Sequence, residues 1–198
     1  MKKVAVVGGK GNMGRRYAMI LEQYCECKAL VVDVDTLETY LDLQSCDGII
    51  ISTPTLGHVD DIIEYSKFGK PILCEKPIAK SILRLKSLLS RDDIDLSMMN
   101  QYAFLNKGDN GHTEYNYFKT GGDGLMWDCI NIIGLAKTSY DIKNDGLIWR
   151  CVLNGDTVSI ADMDRAYIDN IKYWTMGWRN KEYILDAHLK VVKALGNG

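Results

Sequence analysis

A chain of 198 residues, 46% hydrophobic and 25% charged, has ordinary globular composition and can bury a core without a disulfide or metal staple. Its formal net charge of −2 leaves no basic footprint for nucleic acid, and no apolar run approaches the roughly 20 residues that span a membrane. Lys2-Lys3 precede an apolar run that stops at Gly8-Gly9, too early for a secretory signal, and the six cysteines contain no Cys-x-x-Cys pair, so the expectation is a cytoplasmic protein with reduced thiols.

From residue 1 to about 100, apolar runs rich in β-branched residues alternate with helical spacing, as in βαβ units around a parallel sheet. Strands are expected at 3–8, 29–33, 48–52, 71–74 and 96–100, and helices at 13–24, 36–43, 59–68 and 78–90. Met13, Tyr17, Ile20, Leu21 and Tyr24 lie on one stripe of the first helix. The third strand is unbroken in its apolarity, as when both sheet faces are covered. Right-handed crossovers then give a doubly wound α/β (Rossmann) fold. Two glycine-rich turn segments follow, at 106–111 and 121–124, and the first sets the expected boundary. A dinucleotide-binding domain is expected over 1–105, and a small α+β domain for substrate or oligomerisation over 106–198. Within the latter, 147–153 alternates and meets Asn154-Gly155, which predicts a hairpin with 157–160. Helices are expected over 162–175 and 181–195.

The motif that carries chemistry is Gly9-x-Gly11-x-x-Gly14, which follows a strand and opens a helix. Gly9 permits the tight turn, Gly11 lets backbone approach a pyrophosphate, and Gly14 lets helix and sheet pack closely. Asn12 and Met13 complete the turn, and the free N–H groups and positive dipole end of the helix face the phosphates. An acidic residue is expected about twenty residues on, to accept the adenosine ribose hydroxyls, and Asp33 fills that place. No Arg or Lys stands in Val34-Asp35-Thr36, which favours NAD over NADP, although Arg15 and Arg16 are within reach of a 2′-phosphate. A structural glycine turn beside a surface aspartate is the bland alternative.

Asp47-Gly-Ile-Ile-Ile-Ser-Thr-Pro-Thr-Leu-Gly-His58 leads to Gly69-Lys-Pro-Ile-Leu-Cys-Glu-Lys-Pro77. With the glycine turn, residues 1 to about 104 resemble the glucose–fructose oxidoreductase / inositol dehydrogenase (Gfo/Idh/MocA) family in order and spacing. The resemblance implies that Ser52, Thr53, Pro54 and His58 flank the cofactor, and that Glu75 and Lys76 meet the nicotinamide ribose. It also implies that Lys76 faces substrate and that the Lys76–Pro77 bond is cis. Independently, a cation at the carboxyl edge of such a sheet can donate to a substrate oxygen as charge develops during hydride transfer. His58 also reads as a surface residue at a helix start.

Beyond residue 105 the resemblance thins. Family members usually continue into a larger domain on an open sheet, often with Asp-x-Gly-x-His opening a helix beside the substrate. Here Gly124-Leu-Met-Trp-Asp128-Cys-Ile-Asn131-Ile132 places Asp128 at the aspartate and Ile132 at the histidine. Asn131 takes that place only if one residue is deleted, and neither side chain shuttles a proton near neutral pH. The catalytic candidates are therefore Lys76, Asp128, Tyr102 and Asn131, with Lys119, Tyr117 and His112 as further groups in reserve. Tyr102 also reads as packing, and Asp128 as a helix N-cap. Tryptophans 127, 149, 174 and 178 belong to core or to a dimer surface, so a homodimer or higher homo-oligomer is expected. The leading reading is NAD-dependent oxidoreduction of a small polar metabolite such as a sugar, a cyclitol or their derivatives. The alternative is a relative that binds NAD(P) without turnover, as a sensor or regulatory subunit.

Overall fold

The computed structural model describes residues 1–36, 40–104, 113–117, 130, 139–143, 146–151 and 160–196. Five parallel strands form the main sheet: β1 (Lys2–Val7), β2 (Cys27–Val32), β3 (Gly48–Ile51), β4 (Ile72–Cys74) and β5 (Leu96–Met98), in the order β2-β1-β3-β4-β5. The order reverses between β1 and β3, where Val4–Val7 pair in register with Gly48–Ile51. In open sheets of this kind the crevice beyond that reversal is where ligands bind.

Alternation along the strands divides the core in two. Val4, Val6, Ile50 and Leu73 face one side, packed with Tyr17, Ile20 and Leu21 of α1 (Asn12–Tyr24). Ala5, Val7, Ile49, Ile51, Ile72 and Cys74 face the other. After the short α2 (Tyr40–Gln44), that second face is covered by Val59 and Ile62 of α3 (His58–Ser66) and by Leu85 and Leu88 of α4 (Ile82–Leu89). Each fully buried Ile, Leu or Val contributes about 1.5–3 kcal/mol of burial. Helix α4 starts four residues later than its apolar run predicts. Ile78 and Ala79 are buried in the irregular segment before the helix, and the Ser81 hydroxyl caps the helix by accepting from Arg84 N–H.

The two closing helices pack on this same sheet, one on each face. From α5 (Ile160–Thr175), Ile171 and Trp174 join the first core, with Trp174 seated against Gly48. A Cβ at Gly48 would come within 2.7 Å of that indole ring. From α6 (Lys181–Gly196), Ile184, Ala187 and Val191 join the second core. Between them, the Asn180 side chain accepts from Met98 N–H at 2.9 Å and donates to Met98 O at 2.8 Å, extending the ladder at the β5 edge. The sequence expectation groups both helices with the residues after 105, whereas their apolar faces belong to the core of residues 1–104. Sequence periodicity shows that a helix has an apolar face without showing what it meets.

A separate antiparallel sheet holds β6 (Thr113–Tyr117), β7 (Ser139–Lys143) and β8 (Gly146–Cys151) in the order β6-β8-β7. The predicted strand at 147–153 is present over Gly146–Cys151 as β8, where Lys143 pairs with Gly146 and Ser139 with Arg150. Ile160, expected at the end of a following strand, opens α5, and Asn154-Gly155 lies outside the described residues.

Candidate cofactor and active site

The chain leaves β1 through Gly8, whose φ of +73° is a left-handed conformation that favours glycine. Gly8 and Gly9 N–H groups both donate to Val32 O, at 2.9 and 3.1 Å, tying the turn to the end of β2. Gly14 is where helix meets turn, and a Cβ there would collide with Gly8 O and lie 2.6 Å from Gly9 Cα. Gly11 caps α1 without a side-chain hydrogen bond, and no acidic residue stands in the first helical turn. The first N–H groups of α1 therefore keep the anion-binding character of a helix start.

Asp33 follows β2 and is built into this turn. Its Oδ2 accepts from Lys10 N–H at 2.9 Å and its Oδ1 from Val34 N–H at 3.0 Å. Lys10 sends its ammonium to Asp35 Oδ1 at 2.6 Å, an exposed pair whose hydrogen bond holds the Asp35 carboxyl below the usual range. Of the two arginines within reach of the turn, Arg15 donates to Lys10 O at 2.6 Å, and Arg16 stacks over the Tyr167 ring at 4.3 Å.

The ends of β3 and β4 form the other half. Ser52 Oγ donates to Val7 O at 2.8 Å, and Thr53 Oγ1 to Asp61 Oδ2 at 2.5 Å, so both side chains brace the loop itself. Lys76–Pro77 is cis. His58 is not at the surface: it is 1% exposed, with Nε2 2.7 Å from Thr53 O and Nδ1 2.7 Å from Pro77 O. Its ring joins the loop after β3 to the loop after β4. Glu75, 8% exposed, receives the Tyr17 hydroxyl on Oε1 and Lys76 N–H on Oε2, the latter at 2.8 Å. Below them His188 of α6 is fully buried; its Nε2 accepts from Ala79 N–H at 3.4 Å while Nδ1 meets Ile184 O at 2.7 Å. Desolvation pushes the His188 imidazole down to about 4.

These loops line an open cleft of about 390 Å³ beside the glycine turn. Met13, Ser52, Thr53, Pro54, His58, Glu75 and Lys76, all singled out from sequence, line it together. Thr55, Leu56 and Tyr167 join them. Tyr167 was invisible as a site residue because it sits more than 60 residues from the resemblance and on what reads as an ordinary amphipathic helix. In the sequence Tyr17 is only part of the apolar stripe, because no signal separates a buried tyrosine that bonds a site carboxylate from one that merely packs. Tyr102 lies on the 3-10 turn Gln101–Phe104 just after β5, at the sheet edge that carries Lys76. Asp128, Asn131, His112 and Lys119 lie outside the described residues.

Fold and turn together define an NAD-binding Rossmann domain. Residues 21–92 match the family model described as "Oxidoreductase family, NAD-binding Rossmann fold". An inositol 2-dehydrogenase of Rhizobium meliloti (strain 1021) is 38% identical over 56 residues, covering 28% of this chain and 16% of the relative. A second, from Rhodococcus jostii (strain RHA1), is 24% identical over 123 residues, covering 58% and 32%. The chain thus matches less than a third of the length of one curated relative and about a sixth of the other. Among solved structures, a myo-inositol dehydrogenase from Corynebacterium glutamicum ATCC 13032 superposes with a TM-score of 0.74 at 12% identity, covering 100% of this chain and 96% of that one. Over residues 21–92 the chain is thus similar to the Gfo/Idh/MocA oxidoreductase family.

Proposed function

We propose that the chain is an NAD-dependent oxidoreductase that passes hydride between nicotinamide C4 and a carbon bearing a hydroxyl or carbonyl on a small polar metabolite. The observation that carries this is the convergence of the α1 start, the β3 end and the Glu75-Lys76 end of β4 on one cavity. Gly9, Gly11, Asn12, Met13 and Gly14 would hold the pyrophosphate of a dinucleotide, and Asp33 would hold its adenosine ribose. Ser52, Thr53, Pro54 and Glu75, which border the cavity, would hold the nicotinamide half. NAD supplies the hydride acceptor. Lys76 donates to the substrate oxygen, and its charge stabilises the oxygen as the C–H bond breaks. Asp128, Asn131 or Tyr102 completes the substrate side. A sugar, cyclitol or related acid fits a cavity with this donor set, and inositol dehydrogenases among the relatives support that class. We assign residues 1–105 to cofactor binding, with α5 and α6 added to the same core, and the sheet after 105 to substrate or self-association as a cytoplasmic homodimer or larger assembly.

NADH titration followed by nicotinamide fluorescence, then a panel of polyols, sugars and sugar acids with NAD, tests the reading. Lys76→Met should abolish turnover while NADH still binds. Ile132, at the place where the resembled pattern implies a histidine, favours a second reading, an NAD-binding sensor. Tight NADH binding with no turnover across the panel selects it.

A further inference from the structure

Tyr17 stands three residues past Gly14, fully buried, on the face of α1 that packs on the sheet. Its hydroxyl bonds Glu75, the residue that ends β4, 58 positions away in the chain. That bond and the one from Lys76 N–H engage one carboxylate oxygen each. A carboxylate offers about four lone-pair sites. Two thus remain for groups entering the cavity that Glu75 borders.

We propose that Tyr17 is a positioning residue, holding Glu75 in the orientation that accepts hydrogen bonds from the nicotinamide ribose. This rests on the NAD reading above and adds a residue to it. The phenol suits the role because it is rigid, anchored in packed core by Ile20 and Leu21, and reaches Glu75 from beneath the glycine turn. Burial, reinforced by the neighbouring Glu75 carboxylate, raises the phenol well above its ordinary value, so it remains a donor throughout the neutral range. The same bond links the helix that receives the phosphates to the strand end that meets the other half of the ligand.

Tyr17→Phe keeps the ring and removes the hydroxyl. Titrations with NADH and with ADP separate positioning from general damage, because ADP occupies the turn and Asp33 without reaching Glu75. The expected result is an NADH Kd raised about ten-fold, the scale of one charge-assisted hydrogen bond, with ADP affinity unchanged. An unchanged NADH Kd, or equal weakening for both ligands, overturns the proposal. Repeating the comparison in a Glu75→Ala background gives an independent check, and removes the buried acceptor should Tyr17→Phe alone disturb the fold. There the loss of the hydroxyl should have no further effect on NADH, and an additive effect contradicts action through Glu75. Failure of the unaltered chain to bind NADH at all would instead take down the underlying NAD reading.

Discussion

The two ends of the candidate ligand site are made of different material. The turn at Gly8–Gly14 is backbone: a left-handed Gly8, a Gly14 with no room for a Cβ, and uncapped N–H groups at the start of α1. The Glu75-Lys76 end is side chain: His58 joins two loops, Tyr17 holds a carboxylate, and His188 lies beneath Ala79. The first kind of site tolerates almost no change at a few positions. The second divides its work among hydrogen bonds that can be removed singly, each at modest cost.

Substitution at the turn should therefore have the largest effect. Gly14→Val places side-chain atoms where Gly8 O and Gly9 Cα already stand. NADH affinity should fall by at least about 100-fold, equivalent to about 3 kcal/mol or more, with a lowered thermal midpoint. Wild-type binding in that variant would mean the glycine turn is not the phosphate site.

Acid should act on the other end. His188 has its folded value lowered to about 4 against 6.5 for the free imidazole, so the unfolded chain takes up a proton over that interval and the folded chain does not. Stability is fully present above pH 6.5 and declines as pH falls towards 4. The contribution is about 3 kcal/mol. Urea unfolding midpoints measured between pH 7 and 4 should show this loss, and His188→Gln should flatten the portion due to this group.

Removing His58 comes next. His58→Ala removes the buried ring that stands 2.7 Å from both Thr53 O and Pro77 O, at a cost of about 2 kcal/mol by chemical denaturation. NADH affinity should drop in parallel, since both cavity loops lose their shared anchor. An unchanged midpoint would show that the ring does not join them.

The smallest effect concerns cofactor choice. Asp35 occupies the Lys10 ammonium at the edge of the turn. Asp35→Ser frees that cation and removes a negative charge, so NADPH affinity should rise about ten-fold while NADH changes little. No gain for NADPH would separate Lys10 from the 2′ position of the adenosine ribose.

This difference in material also governs what the sequence discloses. Glycine at 9, 11 and 14 reads directly because a backbone requirement leaves a residue-type signature, and the five parallel strands read from β-branched runs covered on both faces. Glu75-Lys76-Pro77 was legible through family resemblance. Tyr17 and Tyr167 were not, because a tyrosine on an amphipathic helix looks the same whether it packs or reaches a site. For a similar reason the packing of α5 and α6 on the first sheet went unseen. Ile171, Trp174, Ile184 and Val191 give helical spacing but no address. Asn154-Gly155 is a strong turn signal whose outcome lies outside the described residues, while the pairing of β7 with β8 left no comparable signal in the sequence.

A crystal structure of the chain with NADH is the most direct measurement. Pyrophosphate oxygens are expected on the N–H groups at the start of α1, adenosine ribose on Asp33, and nicotinamide C4 in the cavity beside Lys76. A dinucleotide bound elsewhere, or one whose nicotinamide turns away from Lys76, contradicts that expectation.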